Sequence, residues 1–383
     1  MTTIEFAPSA RSSVGIEWEL MLVDAAGNLV PEAPAILDAL GERPGITGEL
    51  LTNTIEVTSD ARTRVGEAVD DIRGRLDEVR AQAEPRGTAL VSSGSHPFAR
   101  WHDQSINEKT RYRRLVERTQ WWGRNMMIWG IHVHVGVEDR RKVLPILGEL
   151  TRYLPHLQAL TASSPFWAGE ETGYASNRAL VFQQLPTTGL PWAMEDWAAF
   201  ERYVDDLTRT GVIDEVTEVR WDVRPAPRWG TVENRSCDAV SNLAELGTVA
   251  ALVQTLVEWT SRRLDAGEEP EPLPPWFHRE NKWRAARYGL DTTAIVDRDG
   301  TEAPVRAHLD ALLPVLEPIA EELGCRAELE GVRGILRHGN GTQRQHRVAA
   351  AHAGDLTAVV RHLRAEFDAG RPLPAAGDDG DPI

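Results

Sequence analysis

VGIEWELMLV, residues 14–23, reads as a β-strand. Ile16, Trp18, Leu20 and Leu22 fall on one face and Glu17 and Glu19 on the other. Alternation of this kind fits a sheet with one face in an apolar core and the other polar. Two carboxylates side by side on that polar face repel each other unless cations sit between them. Taken alone, the pair is more simply read as a charged strand surface.

Three further segments repeat the theme. In IWGIHVHVGV, residues 128–137, the side chains of Ile131, Val133, Val135 and Val137 face one way, and Gly130, His132, His134 and Gly136 the other. Neutral imidazole is a common metal ligand, and satisfied structural histidines explain the pattern equally well. Residues 219–224 and 229–235 read as a hairpin around Pro225-Ala226-Pro227, with Glu233 and Arg235 on one face and Arg224 and Arg228 just before them. Arginines beside a carboxylate suit a phosphate whose charge is shared with a metal, or a surface ion-pair ladder. In GELLTNTIEV, residues 48–57, Glu49 and Glu56 are an odd number of residues apart. They reach one site only if Thr52-Asn53-Thr54 bends or bulges the chain.

Each pair is a weak signal, and their joint occurrence is a stronger one. Oxygen-rich ligands with an imidazole suit Mg²⁺ or Mn²⁺ better than zinc. The two cysteines, Cys237 and Cys325, lack zinc-site spacing. No P-loop or nucleophile-elbow motif is present, so a nucleotide site must be of another design.

The other elements are predicted from periodicity and breakers. Helices are expected over 65–83, 106–121 and 239–264, and from 138 to about 160 with a break or bend at Pro145 and Pro155. A strand over 88–93 leads into the turn Gly94-Ser95-His96-Pro97. Residues 163–191 read as a long loop, and helices fill 276–367. Without strict βαβ alternation the fold class is α+β. We expect one catalytic domain over 1–368, helical in its C-terminal part from about 276, with 369–383 a disordered tail.

The 383 residues are 42% hydrophobic and 26% charged, with a net charge of −16. That balance argues against a general nucleic-acid binder. The apolar stretch at 248–259 is interrupted by Gln254, Thr255 and Glu258, so no membrane span is expected. The first residues carry no apolar signal segment and cysteines are few, which points to the cytoplasm. Trp121, Trp122 and Trp197 serve equally as core residues or as anchors of a homo-oligomer.

The sequence resembles the type 2 glutamate–cysteine ligases, or carboxylate–amine ligases, of the glutamine synthetase superfamily. The resemblance rests on VGIEWEL (14–20), GELLTNTIEV (48–57), SSGSHPFARW (92–101), GIHVHVGV (130–137), ASNRALVFQQLPTTGLPW (175–192), RWDVRPAPRWGTVENRSCD (220–238) and ENKWRAARYGLD (280–291). It implies a curved, mainly antiparallel sheet forming a funnel, with helices packed behind it. ATP would enter at one end and a carboxylate substrate at the other. By the same likeness Glu17, Glu19, Glu49, Glu56, His132 and Glu233 are ligands of Mg²⁺ or Mn²⁺, with His132 preferred over His134. Arg235 acts with Glu233 in catalysis, and Arg224 and Arg228 meet phosphate. Lys282 and Arg287 meet the nucleotide, and Asn177 and Arg178 the substrate. His96 either serves near the substrate or stabilises its turn. The implied reaction joins the γ-carboxyl of glutamate to the amine of cysteine, or a related amine, through an acyl phosphate. An ATP-using amidase, a ligase for a larger substrate and a non-catalytic nucleotide-binding regulator are the competing readings.

Overall fold

A computed structural model describes residues 3–268 and 270–374. VGIEWELMLV forms β1 (Val14–Val23), at the centre of a sheet whose pairings are all antiparallel. The strand order is β2 (Ile46–Gly48), β3 (Thr54–Thr58), β1, β5 (Gly130–Gly136), β9 (Thr231–Asp238), β8 (Val223–Ala226). β4 (Ala89–Val91) pairs with the C-terminal part of β1. Two small hairpins stand apart, β6 (Phe166–Trp167) with β7 (Glu170–Glu171) and β10 (Thr293–Ile295) with β11 (Glu302–Pro304).

Period-2 alternation decides which sheet face is buried. Ile16, Trp18, Leu20, Ile55, Val57, Ile131, Val133, Val135 and Val232 all lie in the core. Helices Val65–Ala83, Arg140–Thr161 and Leu243–Asp265 pack over them. On Val65–Ala83 the buried residues recur every three or four positions, as an amphipathic helix requires. The indole of Trp18 donates to Ser92 Oγ at 2.9 Å, so the largest side chain on this face leaves no buried donor unmet.

Several boundaries differ from the sequence expectation. Helix Arg140–Thr161 runs unbroken through Pro145 and Pro155. It packs against β8, β9 and several helices, chiefly Leu243–Asp265 and Pro275–Tyr288, and this burial outweighs the roughly 3 kcal/mol that an interior proline costs. The segment 106–121 is helical over Thr110–Thr119, with a short turn of helix at Trp121–Arg124. Within 163–191 lie the β6–β7 hairpin and a short helix, Asn177–Phe182. The β10–β11 hairpin interrupts the helical C-terminal part. Helix Trp197–Arg209 was not foreseen; it buries Trp197 against Phe6 and Phe200. Trp121 and Trp122 are exposed. Residues 369–374, expected in the disordered tail, are held in place at two points: Gly370 O accepts from Ala244 N and Leu373 N donates to Glu366. Residues 375–383 lie outside the described residues. Among the described residues no helix is long and apolar enough to cross a membrane.

Behind the sheet, the buried Arg344 ties three helices together. It pairs with Glu245 on Leu243–Asp265 and Glu366 on Leu356–Ala369, each at 2.7 Å. Removing one partner of such a group strands the buried charges that remain. Arg344→Met should lower the unfolding free energy by about 3–5 kcal/mol in urea denaturation. A loss below about 1 kcal/mol would contradict this role.

Candidate active site

Antiparallel register sorts the polar face of the sheet into rows. Glu19 stands opposite Glu56, Glu17 opposite His132, and His134 opposite Glu233, which in turn stands opposite Arg224. β9 bulges in the middle of this array. Asn234 pairs with Val133 and Cys237 with Ile131, so Arg235 and Ser236 share the place opposite His132. The backbone N–H of Arg235 donates instead to Asp222 O at 2.7 Å.

The bend asked of residues 52–54 exists. β2 stops at Gly48, Thr54 N bonds back to Leu51 O at 3.2 Å, and β3 starts at Thr54. Glu49 and Glu56 therefore reach the same region. Tyr112 donates its hydroxyl to Glu49 at 3.2 Å, and Arg111 lies 3.7 Å from the same carboxylate. Neither residue stood out in the sequence, although the basic run Arg111, Arg113 and Arg114 around Tyr112 was a signal.

These carboxylates divide into two electrostatic classes. Burial alone would raise the Glu233 carboxyl, but Arg224 and Arg235 hold it well below the usual range. Arg224 Nε donates to it at 2.6 Å and Arg235 bonds its other oxygen. Glu17 is likewise lowered against the effect of burial, by hydrogen bonds from His132 and His134. The distances are 2.7 Å to His132 Nδ1 and 3.3 Å to His134 Nε2. Glu19, Glu49 and Glu56 go the other way. Burial and the charge of Glu49 push Glu19 up to about 7, although Gly130 N donates to it at 2.6 Å. Burial, then the charges of Glu17, Glu49 and Glu19, raise Glu56 well above its ordinary value. Burial raises Glu49, against Arg111 and Tyr112. Burial and Arg235 lower His132 to about 4, so it stands neutral with a lone pair to offer.

The donors fit a hard divalent cation. Glu17, His134 and Glu233 form one group with ligand atoms within 4.8 Å of one another, and Glu17, Glu56 and His132 form a second. Both are carboxylate-rich with one imidazole, a set that suits Mg²⁺ or Mn²⁺. Burial raises the carboxyls of Glu19, Glu49 and Glu56, and neighbouring carboxylates add to the rise at Glu19 and Glu56, so a cation among them would favour their ionised forms. His134 stands beside His132 as a candidate ligand, because Nε2 of His134 faces Glu17 and Glu233 while its Nδ1 bonds Thr231 Oγ1 at 2.8 Å.

Beside the cluster opens a cavity of about 730 Å³. Glu19, Glu49, Arg111, Arg220, Arg224 and Arg235 line its polar side, and Met126, Ile128, Phe182 and Leu185 its apolar side. Arg178 lies buried against Gly130, where an added Cβ would come 2.2 Å from its Nη2. Asn177 opens the same short helix, its N–H bonded to Ser164 O at 3.2 Å.

Four expected residues lie elsewhere. His96 is wholly buried, with Nε2 on Gly27 O at 2.8 Å and Nδ1 accepting from Phe98 N and Ala99 N. Both ring nitrogens are spent on its turn, so it is a structural histidine. Lys282 is buried in an ion pair with Asp222 at 2.6 Å. Asp222 also accepts the N–H of Arg235, so Lys282 braces the bulge rather than facing a ligand. Arg287 donates to Gly173 O and packs over Tyr174, which fastens the 163–191 segment. Arg228 is exposed at the β8–β9 turn, stacked 5.0 Å from the Trp229 ring.

The crowded carboxylates make a prediction with a defined sign. An acid raised in the folded state costs nothing below its unfolded value, and stability falls as pH rises through its folded value. Glu56→Gln should therefore raise the Tm of chelator-treated protein at pH 8 by about 2 °C or more, and by less at pH 5. Saturating Mg²⁺ should remove the gain. Equal Tm values at pH 8 without metal would contradict the repulsion.

Comparison with known proteins gives the family. The family model for glutamate–cysteine ligase family 2 matches residues 13–362. A Leifsonia xyli subsp. xyli protein provisionally named glutamate–cysteine ligase 2 is 55% identical over 373 residues, covering 96% of this chain and 99% of its own. A Mycobacterium ulcerans protein, provisionally given the same name, is 52% identical over 366 residues, 95% of this chain and 93% of its own. In fold, the chain is similar to a Francisella tularensis glutamate–cysteine ligase solved with AMP, at TM-score 0.69 and 16% identity, covering 97% and 92% of the two chains. It is also similar to a bifunctional glutathione synthetase of Pasteurella multocida, at TM-score 0.66 and 16% identity, over 93% of this chain and 52% of that one. With a matching family model over nearly its whole length and relatives above half identity, the chain belongs to glutamate–cysteine ligase family 2, enzymes of the carboxylate–amine ligase type.

Proposed function

We propose that this ligase uses ATP to activate the γ-carboxyl of glutamate and joins it to the amine of cysteine or a related amine. The observation that carries the reading is Glu17, shared by two carboxylate–imidazole groups, one of which contains Glu233, the partner of the cavity-lining Arg224 and Arg235. Mg²⁺ or Mn²⁺ held by Glu17, His134 and Glu233, and by Glu17, Glu56 and His132, would offset phosphate charge and orient the transferred group.

The chain's own residues account for the rest. A carboxylate oxygen of the acid attacks the γ-phosphorus of ATP and ADP leaves. The amine nitrogen then attacks the acyl carbon, phosphate departs and a proton is released. Arg235 and Arg224 line the cavity while Glu233 fixes both guanidiniums, so positive charge is preorganised where negative charge grows. Arg178 is buried beside Glu19, and its Nε lacks a hydrogen-bond partner among the described residues. We assign it to a substrate carboxylate, with Asn177 next to it. The apolar side of the cavity, at Met126, Ile128 and Phe182, would receive the small side chain of the amine. No covalent nucleophile is needed. Both cysteines are buried free thiols, which supports a reducing cytoplasm.

Mass spectrometry of purified protein with ATP, Mg²⁺, glutamate and cysteine tests the reading. The expected products are γ-glutamylcysteine with equimolar ADP and phosphate. Glu233→Gln or Arg235→Ala should lower kcat by about 10²-fold or more while the protein stays folded. Absence of the dipeptide, or wild-type turnover in either variant, would overturn it.

A further inference from the structure

Asp238 ends β9 opposite Gly130, on the cavity side of the sheet. The bulge puts it there, because under strict period-2 alternation from Glu233 and Arg235 it would face the core. It is fully buried, and both of its carboxylate oxygens are hydrogen-bonded. Oδ2 accepts from Ser163 N at 3.0 Å and from Ser164 Oγ at 2.7 Å, and Oδ1 accepts from Ser176 Oγ at 2.7 Å. These serines stand at the two ends of one loop, which a parallel bridge between Ser164 and Ser176 draws together.

Both hydroxyls pass the restraint on to Arg178. Ser164 Oγ accepts the backbone N–H of Arg178 at 3.0 Å, and Ser176 caps the helix that begins at Asn177. The guanidinium itself is weakly tied, with Nη2 3.4 Å from Arg235 O and Nε unpartnered. Its place therefore depends on its backbone, on the room that Gly130 leaves, on the Phe182 ring 5.7 Å away and on attraction to the buried carboxylate of Asp238 itself. The fit around the clamp is equally close, since a Cβ on Gly94 would come 2.5 Å from Asp238 Oδ2.

We propose that Asp238 is a positioning residue of this enzyme. Through Ser164 and Ser176 it fixes Arg178 to grip the carboxylate of the acid substrate. The proposal rests on the substrate-binding role given to Arg178 above. It separates Asp238 from a simple loop staple, whose loss would disturb every substrate alike.

Steady-state kinetics on the full chain with ATP, Mg²⁺, glutamate and cysteine test it. Asp238→Asn should raise the KM for glutamate about tenfold, while the KM for ATP stays within about twofold. Ser164→Ala should do the same to a smaller extent, and it carries the test if Asp238→Asn does not fold. Adding either change to Arg178→Ala should cause no further loss, because a positioning group has no effect once its target is gone. The proposal falls if the effects multiply, if both KM values rise together, or if the KM for glutamate does not move. A wild-type enzyme inactive with these substrates, or unaffected by Arg178→Ala, would instead bring down the reading beneath it.

Discussion

Repulsion among carboxylates held on one face of a sheet is the constraint that the other parts of the site answer. β1 places Glu17 and Glu19 two residues apart, and register brings Glu56 alongside while the turn at 51–54 adds Glu49. Their opposite faces are fixed in the core by Trp18, Leu20, Ile55 and Val57, so the acids cannot turn away. Arg224 and Arg235 are committed to Glu233. A second source of positive charge is what the geometry asks for. Divalent cations shared with substrate phosphates would supply it without adding a fixed protein cation that would occupy the cavity.

The bulge in β9 is the device that makes the arrangement asymmetric. It inserts one residue opposite His132, so that Asp238 as well as Arg235 falls on the cavity side of the sheet. The Lys282–Asp222 pair lies directly behind it, with Asp222 O accepting the Arg235 N–H. A lysine remote in sequence thus serves the site by holding backbone. Arg287 works in a similar way on the loop that bears Arg178, through Gly173 O.

What was legible in the sequence follows from the range of the interactions. β1 and β5 alternate strictly, so their polar faces, and with them Glu17, Glu19, His132 and His134, could be read from the chain alone. The Glu49–Glu56 problem was visible too, because odd spacing conflicts with a shared face. His96, Lys282 and Arg287 lay in family-like motifs, but their partners Gly27, Asp222 and Gly173 are far off in the chain and no local pattern announces them. Asp238 sat inside a matched segment with the wrong parity for the site, and only the bulge corrects it. Pro145 and Pro155 suggested breaks that tertiary packing overrides. The β10–β11 hairpin has three-residue strands, too short for alternation to show, although Asp297-Arg298-Asp299-Gly300 between them was a turn signal.

The central claim is that Glu17 joins two cation sites, and Mn²⁺ titration of the chelator-treated protein followed by electron paramagnetic resonance tests it most directly. The account predicts two ions per chain, magnetically coupled through the shared carboxylate, with the coupling lost in Glu17→Gln. Failure to bind Mn²⁺, or a coupled pair that persists in Glu17→Gln, would contradict it.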